Sequence, residues 1–355
     1  MIKPIRFQRK LFLGTTMIAL FLSAFLSGCQ RAAGTGQASE QEEEKIQIGM
    51  IFDNFVMERW QRDRDVFVST AKELGAEVNV QNANSSVEEQ AALMEYFIKK
   101  KVDAIVIIPI DSEPLINSVK KAQEEGIKVI CYDRLIVGAK PDLYISFDNK
   151  KVGTIMGKIL SAKLSEDDKV LMICGPMTDH NVAEVNAGFT EAMEEKNIEI
   201  LDSYYADEWK PEYASAYIRK NSGLIGRVKA IMCGNDSLAG QAVAALAEQR
   251  LAGEIYVTGQ DADLSACQRI VEGTQYMTVY KPVEKLAARA AEAAVSLVDG
   301  KALEYDIYTD GDGKEIPYIK LEPIGVTALN MQAIIIDSGF HLKEDVYLNR
   351  PDLLE

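Results

Sequence analysis

"IQIGMIF" at residues 46–52 leads, five residues later, into "ERWQRDRD" at residues 58–65. The first run carries no charge and is too short for a buried helix, so it reads as a strand covered on both faces. The second puts a tryptophan among six charges in eight residues, at the point where the strand gives way to a helix. In open α/β sheets, ligands sit beyond the carboxyl ends of the strands. An indole and an arginine fork at such a junction are therefore candidate ligand groups. The competing reading is an amphipathic helix whose charges face water.

Working outward, the same rhythm continues. "AEVNVQNA", "VDAIVIIPI" and "IKVICYDR" read as strands, separated by the helix-like stretches "RDVFVSTAKELG", "SVEEQAALMEYFIKKK" and "EPLINSVKKAQEEG". Gly75 and Gly126 sit where helices commonly end. After "LYISFDNKKVG" the pattern resumes with "KVLMICGP", "IEILDSYYA", "VKAIMCGN" and "EIYVTGQD" as strands. "NVAEVNAGFTEAMEEKN", "PEYASAYIRKNSG", "SLAGQAVAALAEQR" and "LSACQRIVEG" read as the intervening helices. Two similar α/β units, each with its own run of strands, predict two doubly wound parallel-sheet lobes.

The tail breaks the rhythm. One more helix, "VEKLAARAAEAAVSLVDG", precedes "YDIYTDGDGKEIPYIKLEPIGV", a hairpin with an Asp-Gly turn. Asp310, Asp312 and Glu315 in that turn lack the later ligands of a calcium loop, so a plain turn is expected and no metal.

The chain begins with the basic "MIKPIRFQRK", then the uncharged "LFLGTTMIALFLSAFL", then "LSGC" ending at Cys29. That order describes an export signal over residues 1–28. Leu26-Ser27-Gly28-Cys29 resembles a bacterial lipobox, which implies cleavage before Cys29 and a lipid on it. Residues 29–45 follow as a flexible acidic tether, too polar to fold. No later segment is long and apolar enough to span a membrane. The formal charge of −15 falls to −19 when Lys3, Arg6, Arg9 and Lys10 leave with the signal. Such acidity opposes nucleic acid and anionic lipid surfaces as partners. Cys131, Cys174, Cys233 and Cys267 show no metal or disulfide spacing and are expected as buried free thiols.

The strand ends collect polar groups. Arg59 and Trp60 follow the first strand, and Asp133 and Arg134 the fourth. Asp179 and Asn181 follow the first strand of the second unit, and Trp209 the next. Asn235 comes after that, then Gln260 and Asp261, then Lys281. Both tryptophans of the chain lie in these segments. Flat aromatic plates ringed by Asp, Asn, Arg and Lys suit a pyranose sugar. Its C–H faces are apolar, and each hydroxyl both donates and accepts. Structural roles compete for the same residues: Trp60 as a staple between helix and sheet, Trp209 as loop packing, Asp133–Arg134 as a local ion pair. Asp236 reads as a helix cap, His180 as a neighbour of the ligands, and Arg62, Asp63, Arg64 and Asp65 as a solvated helix face.

In this order, "ERWQRDRD", "VDAIVIIP", "GIKVICYDR", "YISFDN", "GNDSLAG", "GQDADL" and "GTQYMTVYKP" resemble the substrate-binding proteins of bacterial sugar ABC transporters, their xylose-binding branch above all. The resemblance runs from about Lys45 to the C-terminus. It implies the type I periplasmic-binding-protein fold, with lobes at residues 46–148 plus 281–322 and 149–280 plus 323–355. The chain should cross between them near Asp148-Asn149, Val279 to Lys281 and Pro323 to Val326. It implies a monosaccharide, D-xylose before glucose, galactose or a mixed range of aldoses, held by Arg59, Trp60, Asp133, Arg134, Asp179, Asn181, Trp209, Asn235, Asp261 and Lys281. No cofactor and no catalytic residue is implied. The partner is an ABC permease or, alternatively, a membrane sensor kinase, and the protein acts as an exported monomer held to the membrane by lipid alone. "FDNFVM" before Glu58, and His180 between Asp179 and Asn181, depart from the family pattern.

An enzyme is the rival class, since Asp133, Asp179 and Asp261 in one cleft would resemble a glycosidase pair. Each of these carboxylates has a hydroxyl to bind instead, and no nucleophile elbow, phosphate loop or zinc motif is present.

Overall fold

The computed structural model describes residues 45–354. The export signal, Cys29 and the tether up to residue 44 lie outside the described residues.

The chain first lays down β1 (Gln47–Phe52), α1 (Glu58–Glu73), β2 (Glu77–Asn82), α2 (Val87–Lys100), β3 (Ala104–Ile107), α3 (Ile116–Glu124), β4 (Lys128–Tyr132) and β5 (Leu143–Phe147). It then crosses to a second lobe. There it builds α4 (Asn149–Ser161), β6 (Lys169–Cys174), α5 (His180–Glu194), β7 (Glu199–Tyr205), α6 (Glu212–Lys220), α7 (Ser222–Ile225), β8 (Ala230–Cys233), α8 (Asp236–Glu248), β9 (Tyr256–Thr258), α9 (Leu264–Glu272) and β10 (Thr278–Tyr280). It returns for α10 (Val283–Val298), β11 (Asp306–Thr309) and β12 (Glu315–Leu321), and crosses again through β13 (Ile324–Val326) to end near α11 (Lys343–Val346).

The first lobe is a seven-stranded sheet in the order β11-β12-β5-β4-β3-β1-β2, parallel except for the β11 edge. Alternation along the strands decides which side chain meets which helix. Ile48, Met50 and Phe52 of β1 face α1 and α10, whereas Ile51 faces the α2 and α3 side. The second lobe is a four-stranded parallel sheet, β7-β6-β8-β9, with α4 and α5 on one face and α6 and α8 on the other. Antiparallel β10 and β13 join the two. This is the type I periplasmic-binding-protein architecture: two doubly wound lobes and three chain crossings.

Several local readings are corrected. Helix α1 begins at Glu58, ahead of the run from Arg64 that reads as helical, so the whole of "ERWQRDRD" forms its first two turns. Asp63 is fully buried and not on a solvated face. The cap of α8 is Asn235, whose side chain accepts from the Leu238 N–H; Asp236 is the first helical residue. Helix α4 carries no strong sequence signal because Gly153 and Gly157 interrupt its pattern. Those glycines have a packing cause: a Cβ on Gly153 would stand 1.8 Å from the Val185 carbonyl oxygen and one on Gly157 2.5 Å from the Ala192 Cβ, while one on Gly188 of α5 would stand 1.9 Å from the Lys150 carbonyl oxygen. Helices α4 and α5 thus cross backbone to backbone.

The "TDGDGK" turn joins β11 to β12, and the Asp310 carboxylate is occupied in accepting from the N–H groups of Gly138, Asp312 and Lys314. Among the described residues no cluster of His, Cys, Asp and Glu suits a metal, and no helix is long and apolar enough to cross a membrane. Cys131, Cys174, Cys233 and Cys267 are buried and free.

Candidate functional site

The carboxyl ends of the strands from both lobes face one another across a narrow slot. A cavity of about 30 Å³ remains between them, with room for a few waters. Its lining includes Arg59, Trp60, Asp133, Arg134, Asp179, Asn181, Trp209, Asn235, Asp261 and Lys281, together with Met57, Asn149 and Gln260. All ten residues singled out from the sequence therefore meet at one place.

Each is placed by the end of an element. Arg59 and Trp60 occupy the first turn of α1. Asp179 is the N-cap of α5 and accepts from the Asn181 N–H at 3.0 Å; Asn235 caps α8 in the same way, at 2.9 Å from the Leu238 N. Asp133, Trp209 and Asp261 adopt positive φ values of 63°, 57° and 96°. Left-handed backbone at non-glycine residues costs roughly 1–3 kcal/mol each and persists where the surroundings over-determine it. Around Asp133 they do: its N–H donates to the Ile145 carbonyl, and its own carbonyl accepts from Ser146 and Asn181.

The charged groups form a lattice. Arg59 Nη2 lies 2.8 Å from Asp133 Oδ2, its Nε 3.4 Å from Asp63 and its Nη1 3.6 Å from Asp261. Arg134 reaches Asp53 at 2.7 Å and, across the slot, Asp179 at 2.8 Å. Lys281 closes on Asp261 at 2.7 Å. The guanidinium of Arg59 also lies 4.4 Å from the centre of the Trp60 ring. On the other lobe, the Trp209 indole N–H donates to Asp179 at 3.1 Å.

Burial and pairing compete in setting the protonation states. Burial alone would lower Arg59, but Asp133, Asp63 and Asp261 hold it well above its ordinary value. Burial pushes the Asp133 carboxyl up; Arg59, Lys281 and Arg134 overcome this and hold it below the usual range. Asp179 ends above its ordinary value, because Arg134 offsets only part of its burial. Asp63 is pushed up to about 6 by burial, which Arg59 and the Tyr132 hydroxyl only partly counter.

Sequence reasoning left out, or left without a defined role, several groups that shape this site. Asp63 orients Arg59 and accepts from Tyr132; its spacing of four from Arg59 on one helix was the available signal. Asp53 fixes Arg134 from the loop after β1. The Gln260 amide donates to the Gly234 carbonyl and leaves its buried oxygen without a partner. His180 stands at the rim, where its ring meets the Tyr308 hydroxyl, which donates to Glu184 at 2.9 Å. Most donors and acceptors of the slot are paired, the Gln260 oxygen and the Trp60 indole N–H being left without partners, and the arrangement suits recognition of a small polar molecule.

Comparison with known proteins agrees with this architecture. The profile described as "Periplasmic binding protein domain" matches residues 48–302. The D-xylose-binding periplasmic protein of Haemophilus influenzae is 39% identical over 316 residues, 87% of this chain and 95% of that protein. Its counterpart in Escherichia coli is 39% identical over 330 residues, 90% of this chain and 98% of that protein. An ABC transporter periplasmic solute binding protein from Actinobacillus succinogenes, solved with bound D-allose, superposes with a TM-score of 0.72 at 26% identity, covering 81% of this chain and 100% of that one. A profile over most of the chain, and relatives that match almost end to end, place it: the chain belongs to the periplasmic binding protein family, and it is a binding protein, not an enzyme.

Proposed function

We propose that the protein is an extracytoplasmic sugar receptor, tethered by a lipid on Cys29, that closes its lobes on one monosaccharide, D-xylose, and delivers it to an ABC permease. The moving bodies are residues 46–148 plus 281–322 and residues 149–280 plus 323–355. One observation carries this reading. Every lining carboxylate stands within 2.8 Å of a cation: Asp133 by Arg59, Asp179 by Arg134, Asp261 by Lys281. Such pairs present an acceptor and a donor side by side, which is what a hydroxyl needs. Trp60 and Trp209 supply apolar surface for the sugar's C–H faces. The high identity to D-xylose-binding periplasmic proteins supports the same ligand.

Closure follows from the pairs that cross the slot. Arg134 to Asp179, and the Asn181 amide to the Asp133 carbonyl, form only when the lobes meet. A ligand shifts that equilibrium by its preference for the closed form. Calorimetry of the mature protein with a panel of aldoses tests the proposal. One-to-one binding of xylose, with glucose far weaker, is expected. Binding of an amino acid, nucleoside or peptide with no aldose bound overturns it.

A further inference from the structure

One corner of the slot differs chemically from the rest. Where Arg59, Arg134 and Lys281 line it, each cation lies against a carboxylate, so a ligand atom there meets both a donor and an acceptor. At Asn235 it does not. The Asn235 Oδ1 is taken by the N–H of Leu238, at 2.9 Å, in capping α8. Its amide nitrogen points across the slot to the Met57 sulfur at 3.8 Å, a weak acceptor that a better one displaces without loss. The Asn235 amide thus offers N–H donors with no carboxylate paired to it. Beside it, Met57 is the one aliphatic side chain among the described residues lining the cavity. The first turn of α1 holds its backbone there, because the Met57 carbonyl accepts from the Trp60 N–H at 3.2 Å.

An aldopyranose has one edge that fits such a corner. Its hydroxyls donate and accept, but its ring oxygen only accepts. The ring oxygen is bonded to C5, which in a pentopyranose carries only hydrogen and in a hexopyranose carries CH₂OH. Turned toward a paired corner, the ring-oxygen edge would meet the cation but bring no hydroxyl donor to the carboxylate beside it, so half of that corner would go unused.

Building on the sugar-receptor reading above, we infer that Asn235 donates to the ring oxygen and that Met57 is the wall against C5, which excludes a sugar carrying a substituent there. A CH₂OH group at this wall must displace a thioether, which accepts only a weak hydrogen bond in return. Discrimination between pentose and hexose therefore resides in Met57, and the ion pairs contribute to binding both.

Two titrations test this. Comparing xylose with glucose on the wild-type protein and on Met57→Ala, the ratio of the two Kd values shrinks by about tenfold or more in the variant, the usual scale for opening space next to a hydrophobic wall. Met57→Leu restores the ratio. An unchanged ratio in Met57→Ala, even with both sugars weakened, overturns the assignment. So does a wild-type protein that binds glucose as tightly as xylose, although the sugar-receptor reading survives that result. In the second titration, 5-thio-D-xylose, whose ring sulfur accepts poorly, binds the wild-type protein about tenfold more weakly than xylose, the loss of one ligand hydrogen bond. Asn235→Asp keeps the cap acceptor, removes the donor and abolishes that difference. Equal wild-type affinities for the two sugars overturn the ring-oxygen contact. Failure of every aldose to bind defeats the receptor reading itself, and the corner with it.

Discussion

Trp60 and Trp209 face the same slot and are held there by different means. Trp60 is 1% exposed and belongs to the core of the first lobe, with its ring edge-on to Phe52 at 6.3 Å. Trp209 is only partly buried, on a left-handed stretch shared with Glu208, and its ring lies in a recess left by two glycines. A Cβ on Gly175 would stand 2.3 Å from that indole, and one on Gly234 3.2 Å from it. One platform is fixed by what surrounds it, the other by what has been removed beneath it. Stability and binding are therefore merged at Trp60 and separable at Trp209.

The sharpest test of this contrast is truncation of each ring. Trp60→Ala should lower folding stability by ~3–5 kcal/mol, the range for large aromatic deletions in a core, and binding should fall with it. Equilibrium denaturation checks this; a loss below 1 kcal/mol would show that Trp60 is a ligand plate and little else.

Trp209→Ala should weaken xylose binding by ~1–3 kcal/mol while shifting the unfolding midpoint much less than Trp60→Ala does. Because the chain has two tryptophans, each single variant reports the fluorescence of the other on titration. Gly175→Ala should reproduce the binding loss by displacing the ring from its recess. If it binds normally, the recess is not what positions Trp209.

The smallest expected effect is a pH dependence on the Trp60 side alone. Asp63, beneath Arg59, has its carboxyl pushed up to about 6. A raised carboxyl binds its proton more tightly in the folded state than in the unfolded one. Its contribution is fully present below pH 4 and is lost as pH rises through 6. Wild-type protein should lose stability from this group between pH 4 and 7, and Asp63→Asn should remove that slope. A thermal-denaturation series across this range decides it.

Much of this arrangement was legible in the sequence because it depends on local pattern. Beyond Lys128 and Lys169 at the first positions of β4 and β6, the runs that became β1, β3, β4, β6 and β8 carry no charge, for the reason that both their faces are covered. Once they are read as parallel strands, the polar residues just beyond them must converge, and the family resemblance narrowed that set to the ten candidates. What escaped was set by contacts remote in the chain. Asp63 looks like any charge in a charged helix until Tyr132, from β4, is seen to donate to it. Asp236 reads as a cap, but Gln275 and Thr278 donate to its carboxylate and make it a buried anchor between α8 and β10. Helix α4 was obscured because the glycines that let it touch α5 are the residues that weaken a helical pattern.

The three crossings also govern when the protein can finish folding. The sheet of the first lobe pairs β5 with β12, so that lobe is incomplete until residue 321 has left the ribosome. The second lobe needs Val326, Met331, Phe340 and Val346, which pack against Ile270 and Tyr280. Neither half can complete its core as an early, independent unit, and both depend on pairings distant in sequence, which form slowly. A chain wired in this way stays unfinished for nearly the whole of its synthesis.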